Sequence, residues 1–229
     1  MQVTTEKLRR FLAAHGNSQT FLEQEVKGLL RELGIAVPSG VFIPAGEPVP
    51  SPHSLLFPLV AKAALPGVAS KNDIGGVRLG IRDAAELSVA VAELEKIPVA
   101  AGVLVEEMAR PGVEVIVGGA VDPQFGPIVM FGLGGLFVEL FRDVAFAMAP
   151  LDRRAARRLV EATKGAVVLR GYRGKPPVDM ESLLSVVVAV SELIGSGFIE
   201  EIDLNPVELY PDGALVVDAK MKRRSQESW

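Results

Sequence analysis

Residues fit for metal and phosphate chemistry gather near the end of the chain, in Ile199-Glu-Glu-Ile-Asp-Leu-Asn-Pro206 and Val216-Val-Asp-Ala-Lys220. On a strand, Asp203 and Asn205 point to one face. If the turn between the two segments is Tyr210–Gly213, Leu209 pairs with Ala214, and counting back sets Asn205 opposite Asp218. Directly opposed residues hold their Cβ atoms about 5 Å apart, close enough to share a small cation. Carboxylate and amide oxygens with no soft ligand suit Mg²⁺, which also takes water and substrate phosphates. The same residues fit a polar edge hairpin, and a one-residue change of register would put the groups on opposite faces.

Three further stretches could serve a nucleotide. The loop Leu65–Gly76 is flanked by Lys62 and Arg78 and holds Gly67, Gly75 and Gly76. Its glycines permit close backbone approach and its cations suit phosphate, although an ordinary hairpin loop has the same composition. Gly132-Leu-Gly-Gly135 is neither GxGxxG nor a P-loop, and a tight turn is the plainer account. Val105-Glu-Glu-Met108 leads through Ala-Arg-Pro-Gly to Val113-Glu114, a strand, turn and strand that could hold an adenosine by base and ribose, or simply carry solvated glutamates. The Arg153, Arg154, Arg157, Arg158 stripe and the tail from Lys220 to Arg224 read as solvated charge. His15 and His53 have no spacing that suggests a triad.

The elements that must position these groups are legible in outline. Thr4–Ala14 is a helix with Leu8, Phe11 and Leu12 on one side. Thr20 with Glu23 reads as a capping box opening a second helix, which ends at Gly34. Val41–Pro44, Phe57–Ala63, Val77–Ile81, Val103–Met108, Glu114–Val121 and Pro127–Phe131 read as strands, and residues 45–54 as a linker. Asp83 with Glu86 starts a helix to about Lys96, Asp152 and Asp179 cap two more, and Ile199–Leu209 and Ala214–Met221 form the last hairpin. Several hairpins with helices argue for α+β layers rather than a doubly wound parallel sheet.

Composition bounds the function. The chain has 229 residues, 49% of them apolar and 23% charged, enough for a large core and against disorder. Its net charge of −4 argues against a nucleic-acid binder, whose footprint would be basic. Zero cysteines exclude disulfides, thiolate catalysis and Cys-ligated zinc, and two histidines exclude a multi-histidine metal site. No stretch reads as a signal peptide or a membrane span, so a cytoplasmic location away from membranes is expected.

Taken in order, LEQEVKGLLRELGIAVP, SKNDIGGVRLGI, VEEMARPGVEVIVGG, FGLGGLFVELFRDVAF, LRGYRGKPPVD and IEEIDLNPVELYPDGALVVDAK resemble the ATP-grasp β subunit of ADP-forming acyl-CoA (acetyl-CoA) synthetases, related to the succinyl-CoA synthetase β chain. The resemblance covers about residues 19 to 221. It implies an α+β ATP-grasp fold with nucleotide between two lobes: a helical extension over 1–18, an N-terminal lobe over 19–108, a C-terminal lobe over 109–222, and a tail over 223–229. It implies that Lys62 meets the nucleotide phosphates and that the loop around Lys71, Gly75 and Gly76 covers them. Glu106, Glu107 and Met108 resemble the adenine hinge, and Glu114 the ribose ligand. Asn205 and Asp218 resemble the Mg²⁺ pair, with Asp203 beside them, as the hairpin count also suggests.

The family pattern further implies ATP/ADP and Mg²⁺ as ligands and a CoA-binding α subunit, in an α₂β₂ heterotetramer. Two positions depart from it. Ser70 stands where a phosphohistidine usually precedes the lysine, and serine cannot replace imidazole as a phosphoryl carrier without an activating base. Ala147 stands where an arginine is usual, which would weaken the grip on phosphate. Three functions are therefore weighed: acyl-CoA formation with an α partner, a non-catalytic nucleotide-binding module, and a stand-alone carboxylate–amine ligase. The forty residues ahead of the first strand are expected to be too few for the extra substrate domain such a ligase usually carries, which makes the last function the least expected.

Overall fold

The computed structural model describes residues 2–50, 55–67, 71, 74–135 and 143–225. Ser70 and residues 136–142 of the FGLGGLFVELFRDVAF motif lie outside the described residues. The chain forms two compact units, one of Thr20–Glu25 and Pro38–Arg110, the other of Met1–Gln19, Val26–Val37 and Pro111–Trp229. Against the expected single stretch 19–108, residues 26–37 group with the larger unit.

In the smaller unit four antiparallel strands lie in the order β1 (Gly40–Pro44), β4 (Gly102–Glu107), β2 (Leu59–Ala63), β3 (Val77–Ile81). Helix α3 (Ala84–Leu94) packs on one face. Leu59, Ala61, Val103 and Val105 pack there with Leu87, Val91 and Leu94. Asp83 caps α3 by accepting from Ala85 and Glu86, and Glu86 reaches back to the Arg82 N–H, as the sequence suggests. Strand alternation then sends Lys62 and Glu106 to the face away from α3. Val60 pairs with Glu106 and Lys62 with Leu104, so the two charged residues are diagonal neighbours.

In the larger unit a six-stranded sheet runs β10 (Ala219–Arg223), β8 (Ile199–Tyr210), β5 (Val113–Asp122), β6 (Gly126–Leu133), β7 (Val144–Met148), with β9 (Gly213–Val216) also pairing β8. Helix α6 (Met180–Gly195) lies on β5, β6 and β8 and buries Leu183, Val187, Val190 and Ile194. Before it come α4 (Arg153–Glu161) and the short α5 (Ala166–Leu169). Asp152 and Asp179 cap α4 and α6 through the N–H groups of Ala155 and Ser182. Helix α1 (Gln2–Ala14) packs on α6. Strand β7 was not anticipated: five apolar residues carry no period that separates a strand from a helix.

The second helix corrects a sequence reading. Helix α2 spans Glu23–Glu32, and the reach-back to its start is made by Glu25, which accepts from the Leu22 N–H at 2.7 Å. Thr20 and Glu23 are not its capping pair, and Glu23 is turned to another use.

Candidate functional site

Strand β2 is buried along its whole length, yet carries Lys62. A lysine so placed must be paired. Its Nζ donates to Glu23 Oε1 at 2.7 Å and lies 3.0 Å from Glu106 Oε2, while Lys71 Nζ donates to Glu23 Oε2 at 2.5 Å. All four side chains belong to the smaller unit, and their charges cancel. The structure thus brings together Lys62, Lys71 and Glu106 from the sequence list and adds Glu23. In the sequence Glu23 lies three residues after Thr20, the spacing of a cap, which hides its place in this cluster.

The loop before β3 is pinned beside this cluster. The Gly76 N–H donates to the Lys71 carbonyl at 2.7 Å, and the Gly76 carbonyl accepts from Ala63 at 2.9 Å. A Cβ on Gly76 would stand 2.9 Å from the Lys71 oxygen, so the position requires glycine. Gly75 adopts φ +67°, and its carbonyl accepts from Arg78, itself paired with Glu93.

The expected hinge is partly committed elsewhere. The Glu106 side chain belongs to the lysine cluster. The Glu107 and Met108 N–H groups donate to Ser39 and Pro58, which removes both as donors to a base. The Glu107 carboxylate accepts from the Leu56 N–H at 2.9 Å, and the Met108 side chain is exposed.

In the larger unit the hairpin count holds. Tyr210 pairs with Gly213, Leu209 with Ala214, and further on Ala219 with Leu204 and Lys220 with Asp203. Asn205 therefore faces Asp218, and its N–H donates to the Asp218 carbonyl at 3.2 Å. On the other side of β8 the register with β5 shifts: Val115 pairs with Val207 and Val117 with Leu204, so Asn205 and Pro206 together oppose Ile116. Such a bulge disrupts the ladder locally and bends the strand, here at Asn205, beside the break between β9 and β10 at residues 217 and 218. Buried Lys27 of α2 secures that break by donating to the Val217 carbonyl at 2.7 Å. Replacing Lys27 by methionine is expected to cost about 1.5–3 kcal/mol of stability, the worth of a charge-assisted hydrogen bond, read from urea unfolding.

Phe146, Met130, Gly118, Asp203 and Lys220 form one row across the sheet by successive pairing. The row borders a cavity of about 190 Å³ floored by Gly118 and Ala120, with Ile128, Met130 and Phe146 on one side and Asp203 and Glu201 on the other. Burial holds the Asp203 carboxyl above its ordinary range. Lys220 works against the shift, and Asp218 and Glu201 add to it. Ala147, next to Phe146, alternates to the opposite face and pairs with Val129. An arginine at this position would therefore start from the face opposite the one that carries Asp203.

Glu114 lies on β5 directly opposite Glu208. Burial raises the Glu208 carboxyl, the Gly112 N–H works against the rise, and Glu114 adds to it. The glycine motif explains itself here. Gly134 donates to the Glu114 carbonyl at 2.8 Å, and a Cβ on Gly134 would stand 3.0 Å from that of Glu114. The glycines let the chain lie against Glu114.

As to metal, the donors around Asn205, Asp218 and Asp203 are oxygens, which suits a hard cation. Among the described residues no three His, Cys, Asp or Glu side chains converge on one metal position. A cation here would draw on the Asn205 amide and complete its shell with water and phosphate. Nor, among the described residues, is any helix long and apolar enough to cross a membrane.

Comparison with known proteins agrees with this architecture. An ATP-grasp domain model matches residues 12–222. The β subunit of acetate–CoA ligase (ADP-forming) I from Pyrococcus furiosus is 38% identical over 217 residues, 91% of this chain and 94% of that protein. Acetate–CoA ligase (ADP-forming) II from Archaeoglobus fulgidus is 39% identical over 201 residues, covering 87% of this chain but 30% of the longer relative. The chain thus spans nearly all of one relative and less than a third of the other. Among solved structures, dinucleotide-forming acetyl-coenzyme A synthetase 1 of Ca. Korarchaeum cryptofilum, with coenzyme A and Mg-AMPPCP and its phosphohistidine segment pointing towards the nucleotide site, superposes with a TM-score of 0.79 at 39% identity, covering 96% of this chain and all of that one. The chain belongs to the ATP-grasp domain family.

Proposed function

We propose that the chain is the nucleotide-handling β component of an ADP-forming acid–CoA ligase, which joins an acid to CoA as ATP is converted to ADP and phosphate. The observation that carries this reading is the unbroken β8 register that sets Asn205 against Asp218. It occurs in a chain that aligns with almost the whole of an ADP-forming ligase β subunit.

In this reading Lys62 and Lys71 bind the phosphates, Gly75 and Gly76 bring backbone close to them, and Glu114 takes the ribose. The stretch Glu106, Glu107 and Met108 borders the base. Asn205 and Asp218, with Asp203 beside them, would hold Mg²⁺, which supplies charge neutralisation to the phosphates when bound. The chain's own task is electrostatic and positional: it fixes the phosphate chain and places cations where negative charge gathers as the γ-phosphoryl leaves ADP.

A CoA-binding α partner would supply the acid and thioester chemistry, in an α₂β₂ assembly in the cytoplasm. Ser70 offers no imidazole, so a histidine supplied by the partner would carry the phosphoryl group; the Korarchaeum enzyme, described with a phosphohistidine segment pointing towards its nucleotide site, supports a histidine carrier in such enzymes. Ser70 also motivates a second reading, a nucleotide-binding module without catalysis. Coexpression with a CoA-binding partner distinguishes them. Mg²⁺- and acid-dependent formation of acyl-CoA with equimolar ADP is expected, whereas ATP binding without turnover in a stable complex would favour the module.

A further inference from the structure

The reading of Lys62 as a phosphate lysine leaves open what holds it and its neighbour in place. Lys62 comes from a strand and Lys71 from the segment between β2 and β3. Both ammonium groups reach one carboxylate, Lys62 at Glu23 Oε1 and Lys71 at Glu23 Oε2. Glu23, Lys62 and Lys71 are 5%, 5% and 6% exposed, so little water screens the two cations from each other. Glu106 also reaches Lys62, its Oε2 lying 3.0 Å from Nζ.

Like charges this deeply placed repel, and a lysine is a compact charge on a flexible stem. An anion with one oxygen for each ammonium group removes both difficulties. It offsets the repulsion and fixes both stems before a ligand arrives. The first turn of α2 supplies that anion. Because Glu25 takes over the reach-back to Leu22, Glu23 is released from capping to do so.

We propose that Glu23 is a positioning residue of the nucleotide site, holding Lys62 and Lys71 as a preset pair of cations for the phosphates. The proposal rests on the nucleotide reading above and deepens it. It separates two contributions to affinity, since a residue acting through these lysines affects phosphates and leaves adenosine alone.

The test is calorimetric titration of the full chain with Mg-ATP and, separately, with adenosine, for the wild type and Glu23→Gln. The amide keeps the shape of Glu23 but loses the charge. Setting two lysine stems free is expected to raise the Kd for ATP about 10-fold, with the Kd for adenosine changed less than about 2-fold. In a Lys71→Gln background the same substitution is expected to cost less. Glu23→Asp, charged but one methylene too short to reach both lysines, is expected to fall between. It carries the test if Glu23→Gln fails to fold. Parallel weakening of ATP and adenosine would overturn the proposal, as would unchanged or tighter ATP binding in the variants. A wild type that binds no ATP would instead refute the nucleotide reading itself.

Discussion

Lys62→Met is expected to raise the Kd for ATP about 100-fold, measured by calorimetry in Mg²⁺. One charge-assisted hydrogen bond to phosphate is worth about 1.5–3 kcal/mol, and 2.7 kcal/mol is a factor of about 100. Stability should fall as well. The ammonium group of Lys62 touches two carboxylates, Glu23 and Glu106, each at most 5% exposed. Removing one partner of a buried ion pair costs about 3–5 kcal/mol, because the remaining charge stays desolvated. The two effects are separable, since denaturant unfolding without ligand reads the second alone. ATP binding in Lys62→Met equal to that of the wild type would remove Lys62 from the phosphate site.

Asp218→Asn is expected to abolish the dependence of ATP affinity on Mg²⁺. The Kd measured with the metal should rise about 10-fold or more, to the value measured in EDTA, because a carboxylate supplies the charge that draws Mg²⁺ out of water. The fold should tolerate the change. Asp218 joins the ladder through its backbone carbonyl, which accepts from Asn205, and Asn retains that oxygen. Full Mg²⁺ dependence in the variant would place the metal elsewhere.

The hairpin was legible because register is arithmetic. A tight Tyr-Pro-Asp-Gly turn fixes the sum of paired residue numbers, and the structure keeps that sum from Tyr210 back to Glu201. The bulge that opposes Asn205 and Pro206 to Ile116 was not legible, since it depends on a partner strand nearly ninety residues away. The capped helices α3, α4 and α6 were readable for the same local reason as the turn.

Glu23 shows where local rules fail. Thr20 and Glu23 have the spacing of a capping box, but tertiary pairing with two buried lysines outweighs the roughly 0.5–2 kcal/mol a cap contributes. Lys62 could have raised the alarm. A lysine in Leu-Val-Ala-Lys-Ala, inside a strand otherwise apolar, demands an acidic partner, and the sequence does not say which. Ala147 shows what a motif leaves out: its place in the pattern says nothing of the face it takes, and strand parity puts it on the face opposite Phe146.

The central claim is that this chain carries a working Mg-nucleotide site, and calorimetric titration with ATP and ADP, with and without Mg²⁺, tests it most directly. Metal-dependent binding near 1 μM, about −8 kcal/mol, is the predicted result. Absence of ATP binding in both conditions, in a chain shown to be folded, would contradict it.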